Sequence, residues 1–491
     1  MTKSMPRLLT GKKDKVSFFW NGRKVDGQIG DSVASALHAA GHKSLAHSRK
    51  FHEPRGLSGS YVAGHAAQVD GAPHVRLDKV AVSEGLKVQS QHVWPSARFD
   101  LLSFSRFVPR KWLRAGFENP KLIPDGTRIW NMWERMLWHV AGEVDISSNK
   151  RGTVVGGKKI KTDLLIVGGG PSGIDEARNF KGEVLLITRG EQLGGQVWSH
   201  AADGPDLPKN VTVLTEHEVF GIFEKGRVVL AAPNCGHKPA IAIEACEIRL
   251  AIGKKSLPPL VPGAALPGVM DAHAAHHLAA RKGVAPGRNI VVVGTDAGHA
   301  VAEGLKALGC NVVAFVDVNH LQRIRGSKKV NAVITKNGAI KADCVVHAGP
   351  WVTEPSLGFQ AGADGYLRLL GGQMPDHISV VGSAGQPDET YSTCANIHRD
   401  TLICPCMDVT AAEIFDLIRD GVTHPEEIKR RTGCGMGPCQ GFPCWHGLAG
   451  MVTEIAGAAA DDLRLPTFRP PRAALTLGQA AGLADVTEVE P

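Results

Sequence analysis

The 491 residues, 43% of them hydrophobic, suffice for several cores and suit about three domains at roughly 150 residues each. The formal charge of +8 comes from basic residues dispersed through stretches such as Gly11 to Lys15, Arg106 to Arg114, Lys158 to Lys161 and Lys429 to Arg431. Without a dense run interleaved with aromatics this excludes nucleic acid, and it fits a solvated surface with mild attraction for phosphate-bearing cofactors or an acidic partner protein. No apolar run reaches the roughly 18 residues of a membrane span and no basic-then-apolar leader is readable, so a cytoplasmic location is expected.

Residues 1–100 read as a β-grasp, ferredoxin-like domain. Val16 to Trp20, the turn Asn21-Gly22 and Arg23 to Gln28 form a hairpin signal, because Asn-Gly accepts the positive φ of a type I′ turn. A helix from Ser32 to about Ala40, stopped by Gly41, follows. Residues 101–158 are a connecting segment, partly helical, in which Trp112, Trp130, Trp133 and Trp138 sit among basic residues; its end, Lys150 to Lys161, reads as a linker.

A nucleotide-binding domain is expected over 159–390. Thr162 to Val167 is an apolar run leading into Gly168-Gly169-Gly170-Pro171-Ser172-Gly173, a short helix, and a second strand from Glu183 to Ile187. A second such unit, at about 285–350, consists of Asn289 to Val293, the loop Gly294 to Gly298, a helix to Leu308, and Asn311 to Val316 ending at Asp317. Two nested strand-turn-helix-strand units describe the flavin-disulfide-reductase style of α/β architecture. Residues 391–465 are helical in texture: Thr410 to Glu413 and Thr423 to Glu426 each fit a capping box. No element is assigned to the tail, 466–491.

In the first glycine loop Gly168 serves the tight turn, Gly170 the approach of backbone N–H groups to a pyrophosphate, and Gly173 close helix–strand packing. Pro171 and Ser172 open the helix. Leu193-Gly194-Gly195-Gln196 and the turn at Gly253 strengthen the reading of a dinucleotide site over that of a structural turn. Where an acid usually holds the ribose hydroxyls stand Thr188 and Arg189, and Arg189 can pair with a ribose phosphate instead. Asp175 and Glu176 add repulsion of order 1 kcal/mol each toward an anion at the helix start. In the second unit Gly294 and Asp317 are the candidate contacts to a ribose or adenylate, against a purely structural role.

Ten cysteines are unevenly spread, with none before Cys235 and six between Cys394 and Cys444, which points to metal or redox chemistry rather than disulfide stapling. Cys404-Pro405-Cys406 offers two thiolates from one turn; Cys439 and Cys444 offer two more at a glycine-bracketed helix start, where N–H groups and the helix dipole favour negative charge. Four thiolates suit a [2Fe-2S] cluster, with tetrahedral zinc as the competitor. Cys434, between the pairs, is expected to be a non-ligand bystander or a reserve thiol, and Cys235, Cys246, Cys310, Cys344 and Cys394 to be small hydrophobes.

Phe18 to Leu37, Ser48 to Gly56 and Gln89 to Asp100 resemble the α subunit of heterotetrameric sarcosine oxidase. Cys404 to Cys406, Asp408-Val409-Thr410 and Gly435 to Gly441 are similar to the bacterioferritin-associated-ferredoxin-like [2Fe-2S] domain of that wider family, which includes dye-linked proline and hydroxyproline dehydrogenases and opine oxidases. The resemblance covers roughly residues 16 to 450. It implies an electron-transfer α subunit of a multi-subunit flavin-dependent amine or amino-acid oxidase or dehydrogenase, in which an FAD-containing β subunit oxidises the C–N bond. It also implies FMN at the subunit interface, FAD or NAD(P) at the first glycine loop, and further small subunits. The N-terminal module has no cysteine for a cluster, the family's acid is Thr188 here, and tetrahydrofolate-coupled demethylation is not expected, since no counterpart of the folate-binding half is read after the cysteine module. No general base for the substrate is expected in this chain. Rival readings are a stand-alone NAD(P)H-dependent reductase, which would carry a Cys-x-x-Cys in the nucleotide domain, and a zinc-binding scaffold.

Overall fold

The structure, a computed structural model, describes residues 4–8, 14–107, 128, 131, 154–195, 205–362, 374–459 and 462–488, apart from 49, 60–65, 92, 97–98, 235, 237, 392–393, 395, 438, 465, 474 and 485. The chain divides into two compact units: residues 1–147, 256–350 and 391–458 form one, and residues 148–255, 351–390 and 459–491 the other. The second strand-turn-helix unit therefore groups with the N-terminal and cysteine segments.

In the first unit, strands Lys15–Trp20 and Arg23–Gln28 pair antiparallel across Asn21 (φ 48°) and Gly22 (φ 75°), the left-handed pair that the Asn-Gly turn demands. Lys15–Trp20 runs parallel to Lys87–Ser90, which continues through Ala66–Val69 to Ala72–Arg76 in a five-stranded sheet. Helix Val33–Ala39 is buried along its whole length; Ser32 caps it by accepting from the Ser35 N–H, and Gly41 (φ 89°) follows its end. This is the β-grasp arrangement. The tryptophan segment, Trp112 to Trp138, lies outside the described residues.

The same unit holds a four-stranded parallel sheet in the order Val269–Asp271, Cys344–Ala348, Ile290–Gly294, Val312–Asp317, with helix Gly298–Ala307 following the glycine turn. Its cysteine module comprises the ribbon Leu402–Cys404 with Val409–Thr410 and the helices Ala411–Arg419, Pro425–Thr432 and Cys444–Ala456. Thr410 and Glu413 make the expected capping box. The second box does not form: Pro425 occupies the first helical position, so the cap falls to His424, whose Nδ1 accepts from the Glu426 N–H, and not to Thr423.

The second unit is built on an eight-stranded sheet. Val211–Leu214, Val184–Ile187, Gly157–Val167 and Ile241–Leu250 run parallel, Val228–Pro233 and His217–Phe223 follow antiparallel, and Ile378–Val380 pairs with Ile241–Leu250. The central strand starts at Gly157, so the end of the segment read as a linker is strand: Ile160 and Thr162 face inward while Lys159 and Lys161 alternate toward solvent. Ile160, Leu164, Leu165, Ile166 and Val167 are buried, each contributing about 1.5–3 kcal/mol. The tail, to which the sequence assigned no element, adds helix Leu477–Gly482, opened by a Thr476–Gln479 capping box, and strand Val486–Glu488 parallel to the first residues of the central strand. The fold is α/β with Rossmann-type units and a small helical cysteine domain. No helix among the described residues is long and apolar enough to cross a membrane.

Candidate cluster and nucleotide sites

The glycines around the cysteines are fixed by one tryptophan and one thiol. A Cβ on Gly435 (φ 76°) would lie 2.2 Å from the Trp445 ring, one on Gly441 (φ 93°) 1.7 Å from its Nε1, and one on Gly437 2.3 Å from the Cys406 Cβ. The loop therefore wraps closely over Trp445, which is itself buried at the start of its helix. Gly433, left-handed at φ 79°, ends helix Pro425–Thr432, and the Thr432 hydroxyl accepts from the Cys434 N–H at 3.1 Å.

Five sulfurs converge. Cys406 Sγ stands 3.6 Å from Cys439 Sγ, and the sulfurs of Cys404, Cys434 and Cys444 lie within 4.8 Å of one another. Two thiolates on one tetrahedral metal, with bonds of about 2.3 Å, sit about 3.8 Å apart. The four cysteines singled out in the sequence thus come together, and Cys434, read there as a bystander or reserve thiol, comes with them. Cys439 is partly exposed and the other four are buried. Hydrogen bonds from Cys434 and Cys444, and from the N–H groups of Gly435 and Met407, hold the Cys404 thiol well below the usual range. Those from Cys406 and Cys444 bring Cys439 to about 5. Donating these bonds holds Cys406, Cys434 and Cys444 up. Converging sulfurs, two of them at tetrahedral-edge spacing, with backbone N–H groups donating to Cys404, fit an iron-sulfur cluster.

A brace that the sequence reading missed holds the first cysteine loop. The buried Arg55 guanidinium bonds Asp408 Oδ1 at 2.6 Å and the Pro405 carbonyl at 3.3 Å; Asp408 Oδ2 accepts from the Phe51 N–H at 3.1 Å, and Lys50 Nζ donates to the Thr432 carbonyl at 3.0 Å. Asp408 has φ 53°, strained for a residue other than glycine. The signal was present: Ser48 to Gly56 and Asp408-Val409-Thr410 were both singled out, without the inference that they touch.

In the second unit, Gly168 (φ 119°) and Gly173 make the expected close approaches: a Cβ would fall 2.2 Å from the Ala251 carbonyl oxygen at Gly168 and 2.0 Å from that of Gly168 at Gly173. At Gly170 a Cβ would meet nothing within 4 Å, leaving room for an anion before the helix Pro171–Asn179. Gly195 packs on Gly170, the Gly194 N–H bonds the Gly169 carbonyl at 2.8 Å, and a Cβ on Gly382 would strike the Ser172 hydroxyl. Gly253, at φ 65°, faces Ser383, and Gln196 lies outside the described residues. Thr188 is buried with its hydroxyl accepting from the Gly190 N–H at 3.4 Å; Arg189 is exposed. Glu176 pairs with Arg249 at 3.6 Å and Asp175 with Arg178 at 3.9 Å, offsetting part of their repulsion toward an anion.

In the parallel sheet of the first unit, Gly294 packs on the Ala348 carbonyl as a Rossmann glycine does, but Asp317 Oδ1 accepts from the Asn319 N–H at 2.7 Å within its own turn. Asp317 is thus partly engaged by the backbone.

Residues 402–454 match the family described as "BFD-like [2Fe-2S] binding domain", and residues 13–93 match "2Fe-2S iron-sulfur cluster binding domain". The second match has no cysteine within it, so those residues do not fit a cluster and the module keeps only the fold. The chain is 26% identical to the alpha subunit of sarcosine oxidase of Rhizobium meliloti (strain 1021) over 97% of its own length, and spans 58% of that relative. It is 36% identical to an opine oxidase subunit of the same organism over 20% of this chain and 21% of that protein. The crystal structure of L-proline dehydrogenase from P. horikoshii superposes with a TM-score of 0.72 at 21% identity, covering 98% of this chain and 99% of that one. That likeness shows the fold.

Proposed function

We propose that this chain is the electron-transfer α subunit of a multi-subunit, flavin-dependent oxidase or dehydrogenase acting on the CH–NH bond of a secondary amine or amino acid of the sarcosine, proline or opine type. The observation that carries the reading is the convergence of cysteine sulfurs in a segment matching a [2Fe-2S] domain, within a chain similar along nearly its whole length to a sarcosine oxidase α subunit. Cys404, Cys406, Cys439 and Cys444 would hold the cluster, which when bound accepts and passes single electrons. The chain buries Cys404, Cys406 and Cys444, leaves Cys439 partly exposed, and would donate N–H bonds to the cluster's thiolates, as Gly435 does to Cys404 Sγ.

An FAD-containing β subunit would take the hydride from the amine, with FMN at the interface between the two subunits and further small subunits completing the complex. Gly168, Gly170, Pro171, Ser172, Gly173, Gly194, Gly195, Gln196 and Gly253 would cradle FAD or NAD(P), with Thr188 and Arg189 at the ribose. Gly294 and Asp317 would serve a second nucleotide. The reading places the complex in the cytoplasm. A stand-alone reductase is disfavoured because the nucleotide unit holds only Cys235 and Cys246, which cannot form a Cys-x-x-Cys.

The purified protein should be brown, bleach with dithionite, and contain iron and acid-labile sulfide near two each per chain, as a [2Fe-2S] cluster requires. Stoichiometric zinc in a colourless protein would sink the reading in favour of a scaffold.

A further inference from the structure

We infer that Cys434 is a spare ligand that can replace Cys404 or Cys444 on one iron of the cluster, so that this iron, unlike the other, survives the loss of a native thiolate. The inference rests on the cluster reading above and extends it to a residue that reading leaves out. Cys406 and Cys439, at 3.6 Å, have the spacing that two thiolates on one metal would have, and would leave a second iron to the remaining sulfurs. There are three of those where two suffice: Cys404, Cys434 and Cys444, all buried and within 4.8 Å of one another.

Cys434 is held there by construction. The left-handed Gly433 turns the chain out of its helix, Thr432 fixes the Cys434 N–H, and the next residue donates its N–H to Cys404 Sγ at 3.4 Å. A buried thiol placed this way needs no backbone rebuilding to reach the metal. Where Cys404 or Cys444 has been replaced no sulfur departs: the Cys434 thiol would give its proton to solvent and take the vacant ligand position as a thiolate. Iron keeps its oxidation state and the site its charge.

Iron, acid-labile sulfide and the electron paramagnetic resonance of the dithionite-reduced protein should be measured on full-length variants. Cys434→Ala should keep wild-type iron and signal. Cys444→Ala or Cys404→Ala should keep most of the iron but shift the g values, because the ligand set has changed. Cys434→Ala combined with Cys444→Ala should lose nearly all of it, as should Cys406→Ala or Cys439→Ala alone. Near-complete iron loss in Cys434→Ala would make it an obligate ligand and overturn the inference. So would loss in both Cys404→Ala and Cys444→Ala as complete as in the double variant. Wild-type protein with zinc and no sulfide would instead refute the cluster reading itself.

Discussion

Asp408→Ala removes one partner of a buried ion pair and tests the brace on the cysteine loop. Arg55 and Asp408 are 3% and 1% exposed, so the substitution strands a guanidinium with no water to solvate it, which costs about 3–5 kcal/mol. The Phe51 N–H loses its acceptor as well, adding about 1–3 kcal/mol. Part of this is recovered if Arg55 is also replaced by an apolar residue, because the stranded charge is gone. A urea titration of the iron-loaded protein, followed by the visible absorbance of the cluster, reports opening of this module. The expected order is wild type, then Arg55→Met with Asp408→Ala, then Asp408→Ala alone. An unfolding free energy for Asp408→Ala within about 1 kcal/mol of wild type, or two substitutions that simply add, would refute the coupling.

Gly173→Ala should lower the thermal midpoint and abolish dinucleotide binding, since its Cβ would meet the Gly168 carbonyl oxygen at 2.0 Å; Gly170→Ala should leave the midpoint near wild type while weakening binding, read by titration with FAD, NAD and NADP. Arg189→Ala should weaken NADP more than NAD, and a strong wild-type preference for NAD would contradict the role given to Thr188 and Arg189. Burial lowers both His38 and His347 from 6.5 to about 3. Between those values the unfolded chain binds protons that the folded chain does not, so stability rises with pH there and is lost as pH falls from 6.5 toward 3. Each histidine contributes a slope of up to about 1.4 kcal/mol per pH unit. Urea midpoints of His38→Leu across pH 4 to 7 should show a shallower acid limb than wild type.

Elements set by short-range chemistry could be read from the sequence. The Asn-Gly hairpin, the helix opening at Ser32, the Thr410 box and both glycine turns each declare themselves within a few residues. What depends on distant partners could not. The strand Gly157–Val167 begins among lysines whose alternation means little until Ile241–Leu250 lies beside it. The Val486–Glu488 strand needs the far end of that same strand for its pairing. Arg55 and Asp408 stand 353 residues apart, and no local pattern announces that they share a buried bond. Cys434 lies between the two pairs in the chain, and only the turn at Gly433 brings its sulfur back to Cys404 and Cys444.

On the proposed function, electrons from an amine reach the cysteine cluster of this chain only through a flavoprotein partner. The most direct test is to add sarcosine, proline or an opine anaerobically to the chain alone and to the chain co-expressed with the proposed flavoprotein subunit, and to record the resonance signal of the reduced cluster. The signal should appear in the complex, with FMN co-purifying there, and should be absent from the chain alone. Robust oxidation of any of these amines by the chain with added flavin, and no other polypeptide, would contradict the relay.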